Sequence, residues 1–310
     1  MRSEETLALA RCRAAIVRSF PALEVRSVRV LRGGWDFLTL EVDGRWVFRF
    51  PVRRASEARI QHEFGVLPLI ARRIGVPVPV YRFRQEPTRD FPHRFGGYAR
   101  LGGVRVDRAR LAARELGRVG TDLGRAIRRL HRIPARDAVA AGLPYRTPNA
   151  CRQGVLRWGR RVAREVRRLL DPTSSRRLDR LLERLARPTR PRFATVVTHN
   201  DLLPVHVLAD PSSGRLTGLI DWGDVEFADP AFDFGVMGAV PGLGPAMVRA
   251  YGGPSDGGFL ERADAYRRLV ASHTVVHARE RRDPALRARG LREFARALAA
   301  EGPFGLGGVE

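Results

Sequence analysis

Three residues between Val196 and Phe234 have the types and spacing to do chemistry together: Asp201, His206 and Asp221. A short β-branched run ends at Thr198, and a carboxylate follows three residues later in a loop that Pro204 keeps from becoming helix. Asp201 is thereby expected where a substrate hydroxyl can approach it. His206 comes five residues on and heads a second short run to Ala209. The turn Asp210-Pro-Ser-Ser-Gly214 then reverses the chain into Leu216 to Ile220 and delivers Asp221 to a strand end. Phosphoryl transfer uses such an arrangement. The γ-phosphoryl charge spreads over its equatorial oxygens, so a protein positions the nucleophile, supplies a metal-bound clamp and offers a carboxylate to the hydroxyl proton. Asp201 suits the base and Asp221 the metal. Alone, an H-x-D is usually a turn; the ordered set His199, Asp201, His206, Asp221 and Asp233 argues against that bland reading.

Protein kinases place Asn five residues after the catalytic-loop Asp and a metal-binding Asp later in the chain. Here the Asn place is His206, and because Mg²⁺ prefers oxygen, His206 is expected beside a metal-bound water or phosphate rather than on the ion itself. The segments THND, IDW and the following DP…D resemble the aminoglycoside phosphotransferase family. His in the Asn place resembles its macrolide phosphotransferases and 2″-type aminoglycoside kinases. The resemblance spans nearly the whole chain. It implies an α+β, two-lobe protein-kinase-like fold, with a small β-rich lobe and a larger, mainly helical one. It also implies an enzyme that moves phosphate from ATP or GTP, with Mg²⁺, to a hydroxyl of a small-molecule antibiotic.

The elements that must position these groups are readable in outline. Thr6 to Ser19 is expected as a helix, followed by strands at Val25–Leu31, Asp36–Val42 and Arg45–Phe50, with Asp43-Gly44 as the hairpin turn. Gly33 and Gly34 would let backbone approach a phosphate closely. In the third strand Arg49 lies among apolar neighbours where a kinase-type fold carries a Lys, and Glu63, fourteen positions later on a helix from Ala55 to Arg73, is the acid to pair with it. VPVPVY is expected as an extended edge. Phe95 to Leu101 resembles the family's hinge, which places Tyr98 and Arg100 at the purine, through backbone groups. The implied lobes are 1–97 and 104–310, joined at 98–103, with a helical insertion at about 148–186. Leu111–Leu130 reads as a core helix closed by a structural His131. Helices are expected over Phe232–Ala239, Pro245–Tyr251, Gly258–Arg281 and Pro284–Ala300, with His273 and His277 packing rather than binding metal.

Composition narrows the partners. The 310 residues carry a formal charge of +23 and 44% hydrophobic residues, enough for a real core. None of the 56 basic residues is lysine, and the arginines are scattered through nearly every element, which reads as coding bias rather than a nucleic-acid face; a polyanion- or nucleotide-binding protein of weakened catalysis is the rival class. No apolar run of membrane length and no apolar leader core occur, so a cytoplasmic protein, without membrane partner and monomeric, is expected. Cys12 and Cys151 are too far apart in sequence to suggest a disulfide framework or metal pair.

Substrate turns on charge. Asp224, Glu226 and Asp229 follow the metal Asp and could hold a cationic group. Between Pro148 and Arg192, however, fourteen arginines face four acids, which would repel a polycation, while Leu156, Trp158, Val162, Val166 and Leu169 offer apolar surface. With the resemblance of AGLPYRTPNACR to macrolide phosphotransferases, this favours a macrolide over an aminoglycoside.

Overall fold

The structure, a computed structural model, describes residues 2–31, 36–89, 91–186, 193–254 and 256–300. Gly33 and Gly34 lie outside the described residues. The chain begins with α1 (Arg2–Ser19), then β1 (Val28–Leu31), β2 (Phe37–Val42), β3 (Trp46–Pro51), α2 (Arg54–Ile74), β4 (Tyr81–Gln85) and β5 (Phe95–Ala99). These strands form one antiparallel sheet in the order β1-β2-β3-β5-β4. Asp43 and Gly44 both take positive φ, 53° and 65°, the backbone that a two-residue hairpin demands.

Strand alternation sorts β3 between two covered faces. Trp46, Phe48 and Phe50 pack with Cys12, Ala15 and Ile16 of α1, while Val47 packs with Ile60, Phe64 and Leu67 of α2. Arg49 therefore shares the α2 face, and every residue of β3 is buried. The FGGYA stretch, read as a linker, is instead the inner strand β5. Its glycines are there for packing: a Cβ at Gly97 would fall 2.6 Å from the Phe48 ring, and one at Gly96 would fall 2.7 Å from Tyr81. Val76–Val80 forms no strand, since its prolines lack donors, but the Pro77 carbonyl accepts from Leu219 N at 3.0 Å.

The rest of the chain comprises β6 (Val104–Arg105), α3 (Ala113–His131), α4 (Ala135–Ala140), α5 (Pro148–Val166), α6 (Pro172–Ala186), β7 (Val196–Thr198), β8 (Val207–Asp210), β9 (Arg215–Leu219), β10 (Glu226–Ala228), α7 (Leu243–Tyr251), α8 (Phe259–Val270), α9 (His273–Glu280) and α10 (Pro284–Ala299). β8 and β9 form the expected hairpin with β6 beside them, and β7 pairs with β10. α3 buries Val119, Leu123, Ile127 and Leu130. Val162 and Val166 of α5 join α6, α8, α9 and α10 in a second core, so only part of the insertion's apolar face is free.

Two expected helices are not continuous. Phe232–Ala239 is two short 3₁₀ turns, Pro230–Phe234 and Met237–Ala239, interrupted at Gly235. Gly258–Arg281 breaks between α8 and α9, where the Ser272 hydroxyl donates to the Leu269 carbonyl at 2.6 Å and competes with the helical ladder. No helix among the described residues is long and apolar enough to cross a membrane.

Candidate functional site

The loop after β7 carries Asp201 and the loop after β9 carries Asp221, and one acid holds the first of them in shape. Asp233, fully buried, accepts from His199 N at 2.9 Å and Asn200 N at 2.8 Å, and His131 Nε2 donates to it at 3.0 Å while His131 Nδ1 meets the Tyr251 hydroxyl. His131 thus braces this loop instead of capping its own helix. His199 Nε2 donates to the Ile220 carbonyl at 3.0 Å and its ring lies on Trp222, which ties the Asp201 loop to the residue before Asp221. Burial drives the His199 pKa down to about 4, so its ring is neutral. Asn200 and Asp221 both sit at φ 64°, left-handed backbone that these two short polar residues tolerate and that turns the chain sharply at each loop.

The three chemical groups converge. One ligand atom each from Asp201, His206 and Asp221 can be chosen so that all lie within 4.8 Å of one another. His206 Nδ1 donates to the Asp201 main-chain carbonyl at 2.7 Å, which leaves Nε2 as an acceptor facing Asp221 Oδ2 at 3.3 Å. Two acceptors aimed at one point fit a cation between or beside them. Desolvation raises the Asp201 pKa to about 7, with Asp221 and Asp224 adding to it against His206. Desolvation would also raise Asp221, but the Arg49 guanidinium, hydrogen-bonded to it, is the largest of the charges that outweigh it and hold that carboxyl near 2. Two adjacent carboxyls are thus pushed apart, one poised to exchange a proton near neutrality and one kept as an anion.

Arg49 and Glu63 meet as the spacing suggested. Glu63 Oε1 accepts from Arg49 Nη1 at 2.5 Å, and the Tyr81 hydroxyl donates to the other oxygen. The guanidinium lies over the Phe37 ring at 4.0 Å and sends Nη2 across to Asp221 Oδ1 at 2.7 Å. A second arginine, missed in the sequence, repeats this bridge: Arg59 of α2 donates to Asp36 and to Asp224, at 2.9 and 3.0 Å. Tyr98 and Arg100 lie at the end of β5 and just beyond it. The Tyr98 ring is buried against Tyr81, Arg100 is bound to Glu41 at 2.9 Å, and the Arg100 N–H donates to the Arg45 carbonyl at 2.8 Å.

The acids after Asp221 separate into two kinds. Asp229 is 3% exposed, caps the following turn through Ala231 N, and accepts from Arg262 and the Tyr266 hydroxyl, so it is framework rather than substrate surface. Glu226 lies on the wall of a cavity of about 220 Å³ between α5 and the Asp201 loop, lined also by Arg146, Trp158, Asn200 and Phe232. Arg146 donates to Glu226 Oε2, and Asn200 Nδ2 donates to Oε1 at 3.2 Å. Neither Arg146 nor Asn200 was singled out by sequence, although Asn200 directly precedes Asp201. His273 packs against Trp158 with the rings tilted, and His277 lies beside it, in a packing role.

Residues 27–271 match the family model of the APH phosphotransferase enzyme family. The chain belongs to that family. Among curated members it is 36% identical over 106 residues to viomycin phosphotransferase of Streptomyces vinaceus and 36% identical over 95 residues to aminoglycoside 3′-phosphotransferase of Streptomyces fradiae. Those alignments take in 33% and 29% of this chain and 36% and 32% of the relatives, so the chain spans about a third of the length of the curated APH proteins it matches. Solved APH folds align over nearly their whole length. A 2″-type aminoglycoside phosphotransferase in complex with GDP and kanamycin superposes with TM-score 0.82 at 24% identity, over 92% of this chain and 97% of that one. A macrolide 2′-phosphotransferase from Brachybacterium faecium does so with TM-score 0.67 at 21% identity, over 91% and 96%. The fold is thus that of these antibiotic kinases.

Proposed function

We propose that this APH-family protein transfers the γ-phosphoryl group of ATP or GTP to a hydroxyl of an antibiotic, with a macrolide as the favoured class. The convergence of Asp201, His206 and Asp221 within 4.8 Å carries the reading. Asp201, its pKa near 7, orients the substrate hydroxyl and accepts its proton. Arg49 meets the donor phosphates, and Glu63 with Phe37 sets the direction of its fork. Asp221, with His206 alongside, would hold Mg²⁺, which neutralises charge on the phosphates when bound. The nucleotide lies between residues 1–97 and 104–310, with the linker main chain beside its base.

The cavity between α5 and the Asp201 loop is the acceptor site in this reading. At about 220 Å³ it is smaller than the roughly 300–1,000 Å³ that encloses a drug-sized ligand, so it takes one sugar-sized part of the acceptor and leaves the rest outside. Trp158 and Phe232 give that sugar apolar walls, and Glu226 is already neutralised by Arg146. This suits a macrolide amino sugar. Aminoglycoside transfer is the competing reading, favoured by Asp224, whose carboxylate is part-exposed at the acidic loop. Mass spectrometry after incubation with erythromycin, kanamycin or gentamicin, each with Mg²⁺ and ATP or GTP, decides between them. Phosphorylated erythromycin is expected; phosphorylated aminoglycoside with untouched erythromycin reverses the substrate class, and no phosphorylated product removes the kinase reading.

A further inference from the structure

Glu226 is the acid of this cavity that the framework does not consume, and the chain has set a cation of its own upon it. Asp229, its neighbour on the same wall, is taken by Arg262 and Tyr266. Arg146 reaches Glu226 from the segment before α5 and is held there from more than one side. Its main-chain carbonyl accepts from Thr195 Oγ1 at 2.8 Å, and Thr147, the next residue, caps α5 by accepting from Ala150 N at 3.2 Å. Gly154 in α5 makes room for the guanidinium, since a Cβ there would stand 2.7 Å from Arg146 Nη2. The pair is partly shielded, with side-chain exposures of 28% and 32%, so a charge brought beside it is poorly screened. Asn200, adjacent to Asp201, donates to the same carboxylate, which puts this ion pair next to the reacting hydroxyl.

We propose that Arg146 determines acceptor specificity by standing at Glu226 in the place of a substrate ammonium, so that the pocket excludes polycationic sugars, which cannot keep every ammonium away from it, and accepts neutral sugars or those whose single amine faces away from Glu226. The inference rests on the cavity being the acceptor site of the proposed kinase. An ammonium entering at Glu226 must evict the guanidinium from a carboxylate and then remain beside it, and both steps oppose binding.

Calorimetry of kanamycin binding to the full chain, at pH 8 to keep Glu226 ionised and without nucleotide, tests this apart from any phosphoryl transfer. Arg146→Ala is expected to bind kanamycin at least roughly tenfold more tightly than the native protein, because a like charge has left and its carboxylate is free. Arg146→Lys, which keeps the charge, is expected to stay near the native affinity. Glu226→Gln in the Arg146→Ala background is expected to remove the gain. Gly154→Ala pushes the guanidinium aside without touching either charge and serves as the second probe should Arg146→Ala fail to fold; it too is expected to tighten binding. A folded Arg146→Ala protein that binds kanamycin no more tightly than the native chain overturns the proposal, as does absence of binding in all variants or a gain that survives Glu226→Gln. Failure of the kinase reading shows separately, as absence of phosphorylated product with every acceptor.

Discussion

Glu63 is wholly buried, and burial pushes its pKa up while Arg49 pulls it back down, so the two residues are tolerable inside the protein only together. Removing one partner of such a pair leaves a charge with no counter-ion. Arg49→Ala is therefore expected to cost about 3–5 kcal/mol of stability in addition to its effect on nucleotide binding. Arg49→Lys restores a cation but not the fork that serves Glu63 and Asp221 at once, and should lose less on both counts. Urea unfolding and nucleotide titration of the two variants check this; equal, small losses would show that neither the buried pair nor nucleotide binding depends on the Arg49 fork. Asp201 works in the opposite sense. Its carboxyl is raised from 3.8 to about 7, so between those values the folded protein holds a proton that the unfolded chain has released. Stability from this group is fully present below pH 3.8 and is lost as pH rises through about 7. Asp201→Asn removes that loss. The variant is expected to melt higher than the native protein at pH 8 in the absence of nucleotide and metal, while turnover falls by roughly 10²–10⁴-fold. Near-native turnover in Asp201→Asn would take the residue out of the mechanism.

The elements hold these residues through a few close approaches that composition does not announce. α3 crosses α7 at two glycines, Gly120 and Gly124, where an added Cβ would come 2.2 Å from the carbonyl oxygens of Leu243 and Met247. Backbone lies against backbone there, so Gly120→Ala should force the helices apart and cost about 1–3 kcal/mol, read by thermal melting; an unchanged melting temperature would show that α7 moves freely. Such a contact is invisible in a sequence because it depends on which helix arrives from elsewhere. The features that were legible are local ones. Asp43-Gly44 marked its hairpin, the period of Val119, Leu123, Ile127 and Leu130 marked α3, and the spacing through Pro204 and Gly214 placed Asp201, His206 and Asp221 on adjoining loops. Arg49 and Glu63 were readable because a strand and a helix in succession put them on facing surfaces. What failed depended on tertiary packing. FGGYA reads by resemblance as part of a hinge, whereas Phe48, Phe64 and Tyr81 fill the space its glycines leave and make it an inner strand. Asp229 looked available to a ligand until Arg262 and Tyr266 arrived from α8. Asp233 and His131, read only as motif members or caps, prove to act on one another across the lobe.

At the scale of the molecule, two arginines of the β-rich part, aimed at one acidic loop, add to the shared hydrophobic core and to the Arg73–Asp137 pair in joining it to the helical part. Arg49 reaches Asp221 from β3, and Arg59 reaches Asp224 from α2 while holding Asp36. The bridges differ in depth: the Arg49 side chain is 6% exposed and that of Arg59 is 37% exposed. The inner bridge is bound up with the buried Glu63 and cannot be loosened without unfolding cost. The outer one is a partly solvated ion pair, of the kind worth about 0–1 kcal/mol and weakened by salt. Arg59→Ala should therefore leave global stability almost untouched and act on the relation between the two parts. Without Arg59, Asp224 loses the cation that opposes its raised pKa, and Arg49–Asp221 is the ion pair that remains, among the described residues, between the acidic loop and the β-rich part. Faster limited proteolysis near residues 100–103 is the expected result, together with a nucleotide KM that rises more than kcat falls. In the native protein, added salt should reproduce part of that proteolytic sensitivity, and in Arg59→Ala it should add little. Native-like proteolysis in the variant at low salt would show that the remaining contacts, among them Arg49–Asp221, Arg73–Asp137 and the Pro77–Leu219 hydrogen bond, suffice to hold the two parts together.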